Sequence, residues 1–237
     1  MTWGNELNAT PRGRQYTRRA VLVGVTMAYV HFPSPAAMAQ TEQRLDLNEL
    51  LSSRRLRPVN REATPLEGPS NGVHLAEGLG PGVVWIEGVV FSRGAIEVDV
   101  RGQDLMQRSF VGIAFSRLHD DAYEAVYVRP FNFRPEDPAR RQHAVQYVAV
   151  PEYDWPRLRA EFPEEFENPV DGSVAPDEWF SLRLVITDET VLVYVGDVAA
   201  PTLEVRRLSH ASEGDIGFRV GNFSRGDFAN LRLTPVE

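Results

Sequence analysis

The fold class that this sequence predicts is all-β, a jelly-roll sandwich of two antiparallel sheets with one short helix. Three observations predict it. Eleven short runs of strand composition recur between residues 73 and 235, with Gly, Asp and Pro between them. Their Val, Ile, Tyr and Phe content suits a pleated, half-buried surface. Only 155–168, WPRLRAEFPEEFEN, has a helical reading, with Asp154 as cap, Pro156 in the first turn and Pro163 cutting it short.

Residues 1–39 form an expected export segment. Arg12, Arg14, Arg18 and Arg19 precede the apolar run AVLVGVTMAYV (20–30), which is too short to cross a bilayer comfortably. Ala37-Met38-Ala39 fits a small-x-small cleavage pattern, and TRRAVLV is similar to a twin-arginine export signature. The expected location is therefore periplasmic or secreted, after cleavage near Ala39. An ordinary secretory signal and an uncleaved anchor are the alternatives. No later segment reaches the length that a membrane span needs. Residues 40–61 are charged and lack alternation, and read as a linker or a short helix at DLNELL. The sandwich is expected over 62–237.

The strand candidates follow in order. They are VHLAE (73–77), VVWIEGVVF (83–91), AIEVDVRG (95–102), SFVGIAFS (109–116), YEAVYVRPF (123–131) and HAVQYVAV (143–150). After the helix come WFSLRLVIT (179–187) and VLVYVGD (191–197), which read as a hairpin, then TLEVRRL (202–208), DIGFRVGN (215–222) and FANLRLTP (228–235).

Composition narrows the chemistry. A hydrophobic fraction of 43% supports a core. The chain has no cysteine, so disulfides, thiolate nucleophiles and cysteine metal clusters are excluded. All 25 basic residues are arginine, which excludes lysine chemistry. Net charge is −8, and without the four Arg and one Glu of residues 1–39 it becomes −11. So acidic a body repels nucleic acid and anionic lipid, and neither is an expected partner. Oligomeric state is not legible.

The strand order, Arg129 closing its strand, Gln146 in VQY and the terminal FANLRL together resemble the concanavalin A-like lectin/glucanase superfamily. Within it, they resemble the laminin-G-like branch that includes 3-keto-disaccharide hydrolase domains. The resemblance covers 62–237. It implies two curved sheets, a carbohydrate ligand on the concave face, and either cleavage or simple binding of that ligand. One position departs from the hydrolase pattern: Ala144 stands where Glu is common.

Alternation in AIEVDVRG puts Glu97, Asp99 and Arg101 on one strand face. Residues i and i+2 lie roughly 6.5–7 Å apart, within the range used by carboxylate pairs in glycoside cleavage. Glu97 and Asp99 are thus candidate catalytic acids, and an ordinary solvated strand face is the plainer alternative. His143, at a strand start, is a candidate acid/base because its ordinary pKa lies near neutrality. Tyr127 and Arg129 share a face, offering a ring and a guanidinium for substrate, with core packing and a structural ion pair as the alternative. Gln146 offers an amide to sugar hydroxyls, and Asn132 and Trp155 complete the expected binding set.

The long loop FNFRPEDPARRQ carries Arg134, Arg140 and Arg141. They form either a positive rim for an anionic glycan or ion pairs with Glu136, Asp137 and the acids at 161, 164, 165 and 167. The second is the simpler reading. His119, Asp120, Asp121 and Asp227 are too scattered for a calcium cage, so no metal or cofactor is expected. The functional expectation is an exported carbohydrate-active protein, a glycoside hydrolase or lyase in the leading reading. A non-catalytic glycan-binding or adhesion module is the alternative, and an accessory partner of another exported protein is a third.

Overall fold

The computed structural model describes residues 41–67 and 71–236. The expected export segment lies outside them. Strand β1 (Gln43–Arg44) leads into helix α1 (Leu47–Ser52), where Asp46 accepts hydrogen bonds from the Asn48 and Glu49 amides, both at 3.0 Å. That carboxylate satisfies two donors a helix start leaves free. Leu47 and Leu50 on α1 are buried in the core, so the segment read as linker or short helix is part of the sandwich.

The chain continues through β2 (Leu56–Val59), β3 (Ala63–Pro65), β4 (Gly72–Leu75), β5 (Gly82–Phe91) and β6 (Gly94–Arg101). Next come β7 (Val111–His119), β8 (Ala122–Val128), a 3₁₀ turn at Pro130–Asn132, α2 (Pro138–Arg141) and β9 (Val145–Val150). Helix α3 (Trp155–Glu161) precedes β10 (Glu167–Asn168). The last strands are β11 (Phe180–Ile186), β12 (Thr190–Val195), β13 (Leu203–Arg206), β14 (Gly214–Val220) and β15 (Gly226–Pro235). All eleven strand candidates form strands. Helix α3 ends at Phe162, just before Pro163, as a proline inside a helix requires. Among the described residues, no helix is long and apolar enough to cross a membrane.

Two antiparallel sheets result. One has eight strands, ordered β13-β12-β11-β6-β15-β4-β3, with β1 also on β15. The other has seven, ordered β10-β9-β8-β7-β14-β5-β2. Their facing surfaces meet at a continuous aliphatic and aromatic core. Phe218 on β14 stacks against Phe228 on β15 with centroids 4.6 Å apart, joining the centres of the two sheets.

One polar group inside this core is strictly structural. Glu124 on β8 is fully buried and receives Arg207 Nε at 3.1 Å and the Tyr147 hydroxyl at 2.5 Å. Arg207 also donates to Ala211 O at 2.7 Å and Thr187 O at 3.2 Å. Burial alone would lower the Arg207 pKa, but hydrogen bonds and charge from Glu124 carry it upward. The pair holds the segment after β13 against both sheets.

Candidate functional site

Register across the seven-stranded sheet assembles the site. Paired residues of an antiparallel sheet point to the same face. Glu167, Gln146, Tyr127, Gly112, Arg219 and Val83 are successive partners from β10 to β5, so they form one lateral row on the face turned away from the core. A Cβ at Gly112 would lie 2.1 Å from Val126 O and 2.5 Å from Tyr127 Cα, so only glycine fits there. Without a side chain at Gly112, Arg219 reaches across β7 and lies over the Tyr127 ring, 4.5 Å from its centroid.

Arg129 follows β8 on the same face and flanks the ring at 5.1 Å. Its guanidinium is 6% exposed and donates to His143 O at 2.8 Å, Tyr127 Oη at 3.1 Å and Gln146 Oε1 at 3.2 Å. Burial pulls the Arg129 pKa below the usual guanidinium value, because carbonyls and a phenol compensate the charge less than a carboxylate does. Glu167 is its nearest carboxylate, at 4.0 Å.

Glu167 itself is buried and takes a bidentate pair from Arg159, at 2.9 and 2.7 Å. His143 Nδ1 stands 2.8 Å away, at ion-pair distance but without hydrogen-bond alignment. Burial pushes the Glu167 carboxyl up. Arg159 and His143 outweigh it and hold the carboxyl below its ordinary range. Glu167 is therefore fixed as an anion, which suits a positioning group and not a proton donor.

Above this floor opens a cavity of about 580 Å³. Arg129, Asn132, Arg140, His143 and Arg159 line it, with Phe110, Phe131 and Trp155 as aromatic walls, and among the described residues no carboxylate reaches the lining. Phe110 packs edge-on against Phe131 at 5.5 Å and against Tyr127 at 6.1 Å, which fixes its orientation. Trp155 is 42% exposed at the start of α3, with Arg159 stacked over its ring at 5.1 Å. Arg140 on α2 donates to Phe131 O at 2.7 Å and Asn132 Oδ1 at 3.2 Å. The result is a cationic, aromatic recess on an acidic body.

The structure brings together only part of the predicted set. Arg129, Asn132, His143 and Trp155 line the cavity. Tyr127 and Gln146 do not: at 2% and 1% exposure they lie beneath Arg129. The segment from α3 to β10 lies across β9 and takes up Gln146, whose Nε2 donates to Tyr147 O and Phe166 O. They support the floor and cannot meet a ligand directly.

Glu97 and Asp99 are on the wrong sheet for the single basin expected of them. Strand β6 joins β11 and β15 in the eight-stranded sheet, and its polar face points outward there. Glu97 pairs with Arg232, and Asp99 accepts from Asn230 Nδ2 at 2.7 Å. Arg101 pairs with Asp227, which also holds His74 Nδ1 at 2.6 Å, beside a separate open cavity of about 820 Å³. The loop arginines also differ from the simpler expectation. Arg134 binds the Gly172 and Ser173 carbonyls at 2.7 and 2.5 Å, and Arg140 binds no acid.

Sequence reasoning missed Phe110, Phe131 and Arg159 in the cavity lining, Glu167 beneath it, and Arg219, which lies outside it on the same sheet face. Arg219, an arginine in the middle of the apolar run IGFRVG, carried the one visible signal.

No protein-family model matches the chain, and no curated protein matches its sequence. Solved structures do match its fold. The carbohydrate-binding module CBM66 from Bacillus subtilis aligns at TM-score 0.53 and 16% identity, over 76% of this chain and 95% of its own. A Bacillus subtilis protein of unknown function with a galectin-like fold aligns at 0.54 and 12%, over 82% and 96%. A glycosidic hydrolase aligns at 0.55 and 11%, over 85% and 99%. The chain has the concanavalin A-like sandwich fold. At these identities the likeness establishes architecture, and function has to come from the site.

Proposed function

We propose that the chain is a carbohydrate-binding protein, without catalytic activity, that holds an acidic sugar in the cavity over the seven-stranded sheet. One observation carries the reading: three arginines, a histidine and three aromatic rings line that cavity, and among the described residues no carboxylate does. Apolar faces of a pyranose stack on rings such as Trp155 and Phe110, while Asn132, buried and bonded to Arg140 and His143 O, positions Arg140 at the wall. Arg140 and Arg159 supply donors for a carboxylate or sulfate on the sugar.

The catalytic alternative loses support from the same geometry. Glycoside cleavage commonly uses two flanking carboxyl groups. Here Glu97 and Asp99 face away, and Glu167 is locked as an ion between Arg159 and His143. That one of the fold neighbours is a carbohydrate-binding module supports sugar binding. The leader read from residues 1–39 would deliver such a protein to an exported compartment, where glycans are met.

The test presents mature protein to an array of acidic and neutral glycans and to 3-keto-glycosides, with products followed by chromatography. Saturable binding of acidic glycans without product is expected. Release of product, abolished by Glu97→Gln or Asp99→Asn, would restore the hydrolase reading.

A further inference from the structure

Arg219 has no role in the cavity just described, yet it is an unusual group. It is 8% exposed, and its Nε and Nη1 have no hydrogen-bond partner among the described residues. A buried charge without a partner is costly, and native folds seldom keep one without use. The cost is compounded because Arg129 and Arg219 flank the same Tyr127 ring, and Arg61, whose guanidinium is held only by carbonyls such as Gly221 O at 2.8 Å, stands near enough to repel Arg219.

Arg219 lines a second cavity of about 370 Å³ on the same sheet face, together with Tyr123, Asp121, Asp154 and Asp120, the last of which Arg57 and Arg117 hold at 2.5 and 2.8 Å. The two cavities adjoin: Asp154 borders one and Trp155 the other, and Tyr127 lies between Arg129 and Arg219. One oxygen of Asp154 caps α3 through the Trp155 amide at 2.7 Å, which leaves the other for a ligand. Asp121 is exposed and unpaired among the described residues. This lining differs from the first cavity. Besides the arginine-held Asp120, it pairs a guanidinium donor with two further carboxylate acceptors, Asp121 and Asp154, and so repels a second anion while matching hydroxyls, which both accept and donate.

We propose that this second cavity is a subsite for a neutral, hydroxyl-rich sugar unit, so that the ligand is an acidic oligosaccharide of at least two units spanning the two cavities. The inference rests on the sugar-binding reading of the first cavity and adds ligand length and composition to it. A ligand oxygen on the part of the guanidinium that lines the cavity would offset some of the cost of burying this charge.

Calorimetric titration tests it with glucuronic acid and with the di- and trisaccharides that link glucuronic acid to one or two neutral pyranoses. Wild-type protein should bind the disaccharide about tenfold or more tighter than the monosaccharide. Arg219→Met should abolish that gain while leaving the glucuronic acid affinity within about twofold, as expected for a group outside the first cavity. Asp121→Asn, at an exposed turn position where folding is not at risk, should reduce the gain in the same way. A gain retained in both variants, or no gain in wild type, overturns the inference and leaves the sugar-binding reading standing. Equal loss for all three ligands in Arg219→Met assigns Arg219 to the first cavity and also overturns it. Failure of wild type to bind any of the three overturns both.

Discussion

Glu167 shows how a single side chain can be decisive without touching ligand. Its folded-state pKa is depressed, so the unfolded chain takes up the proton first as the pH falls. The stability it contributes is present above the ordinary carboxylate range and is lost as pH falls through its folded value. Glu167→Gln should flatten that acid limb in urea titrations at several pH values, and cost about 1–3 kcal/mol near neutrality through the charged hydrogen bonds it removes. A limb unchanged by the substitution would show that Arg159 does not hold the carboxylate ionised. Arg219 predicts the opposite sign. Arg219→Met removes an unpaired buried charge, so the free protein should melt at the same or a higher temperature, measured by calorimetry. A clear fall would mean the guanidinium has an internal partner.

At the scale of elements, β6 and β8 explain what the sequence could reveal. Alternation correctly gave each strand its own two faces: Glu97, Asp99 and Arg101 share one side of β6, and Tyr127 and Arg129 one side of β8. It could not say which sheet each strand joins, because that depends on partners far along the chain. Strand β6 pairs with β15, more than a hundred residues away, and its carboxylates follow it to the far surface. Nor does alternation report covering segments. Gln146 and Tyr127 read as exposed face residues until Phe166 O takes up the amide and Arg129 and Arg219 close over the ring. Glu97→Gln and Asp99→Asn should therefore each shift stability by less than about 0.5 kcal/mol, as surface changes do, and leave glycan affinity unaltered. The Glu124–Arg207 pair sits in the core itself. Arg207→Met should cost on the order of 3–5 kcal/mol in urea unfolding, because it strands a fully buried carboxylate. A cost below about 1 kcal/mol would mean that Tyr147 alone satisfies Glu124.

Across the whole molecule, the two layers carry different work. Arginines meet acids on both sheets, as Arg101 does with Asp227 and Arg232 with Glu97 on the eight-stranded one, and Arg57 and Arg117 with Asp120 on the other. On the seven-stranded sheet, Arg61, Arg129 and Arg219 are buried around one row with Glu167 as the only acid among the row's own residues. Arg129, Arg140 and Arg159 place an electropositive recess on a chain of net charge −8, which would draw an anion to that cavity. The most direct measurement compares the two faces by calorimetry with one acidic glycan. Trp155→Ala and Arg140→Ala should each weaken binding by about tenfold or more, while Glu97→Gln with Asp99→Asn leaves it unchanged. Loss of binding in the Glu97/Asp99 variant, with Trp155→Ala and Arg140→Ala binding normally, would contradict the account.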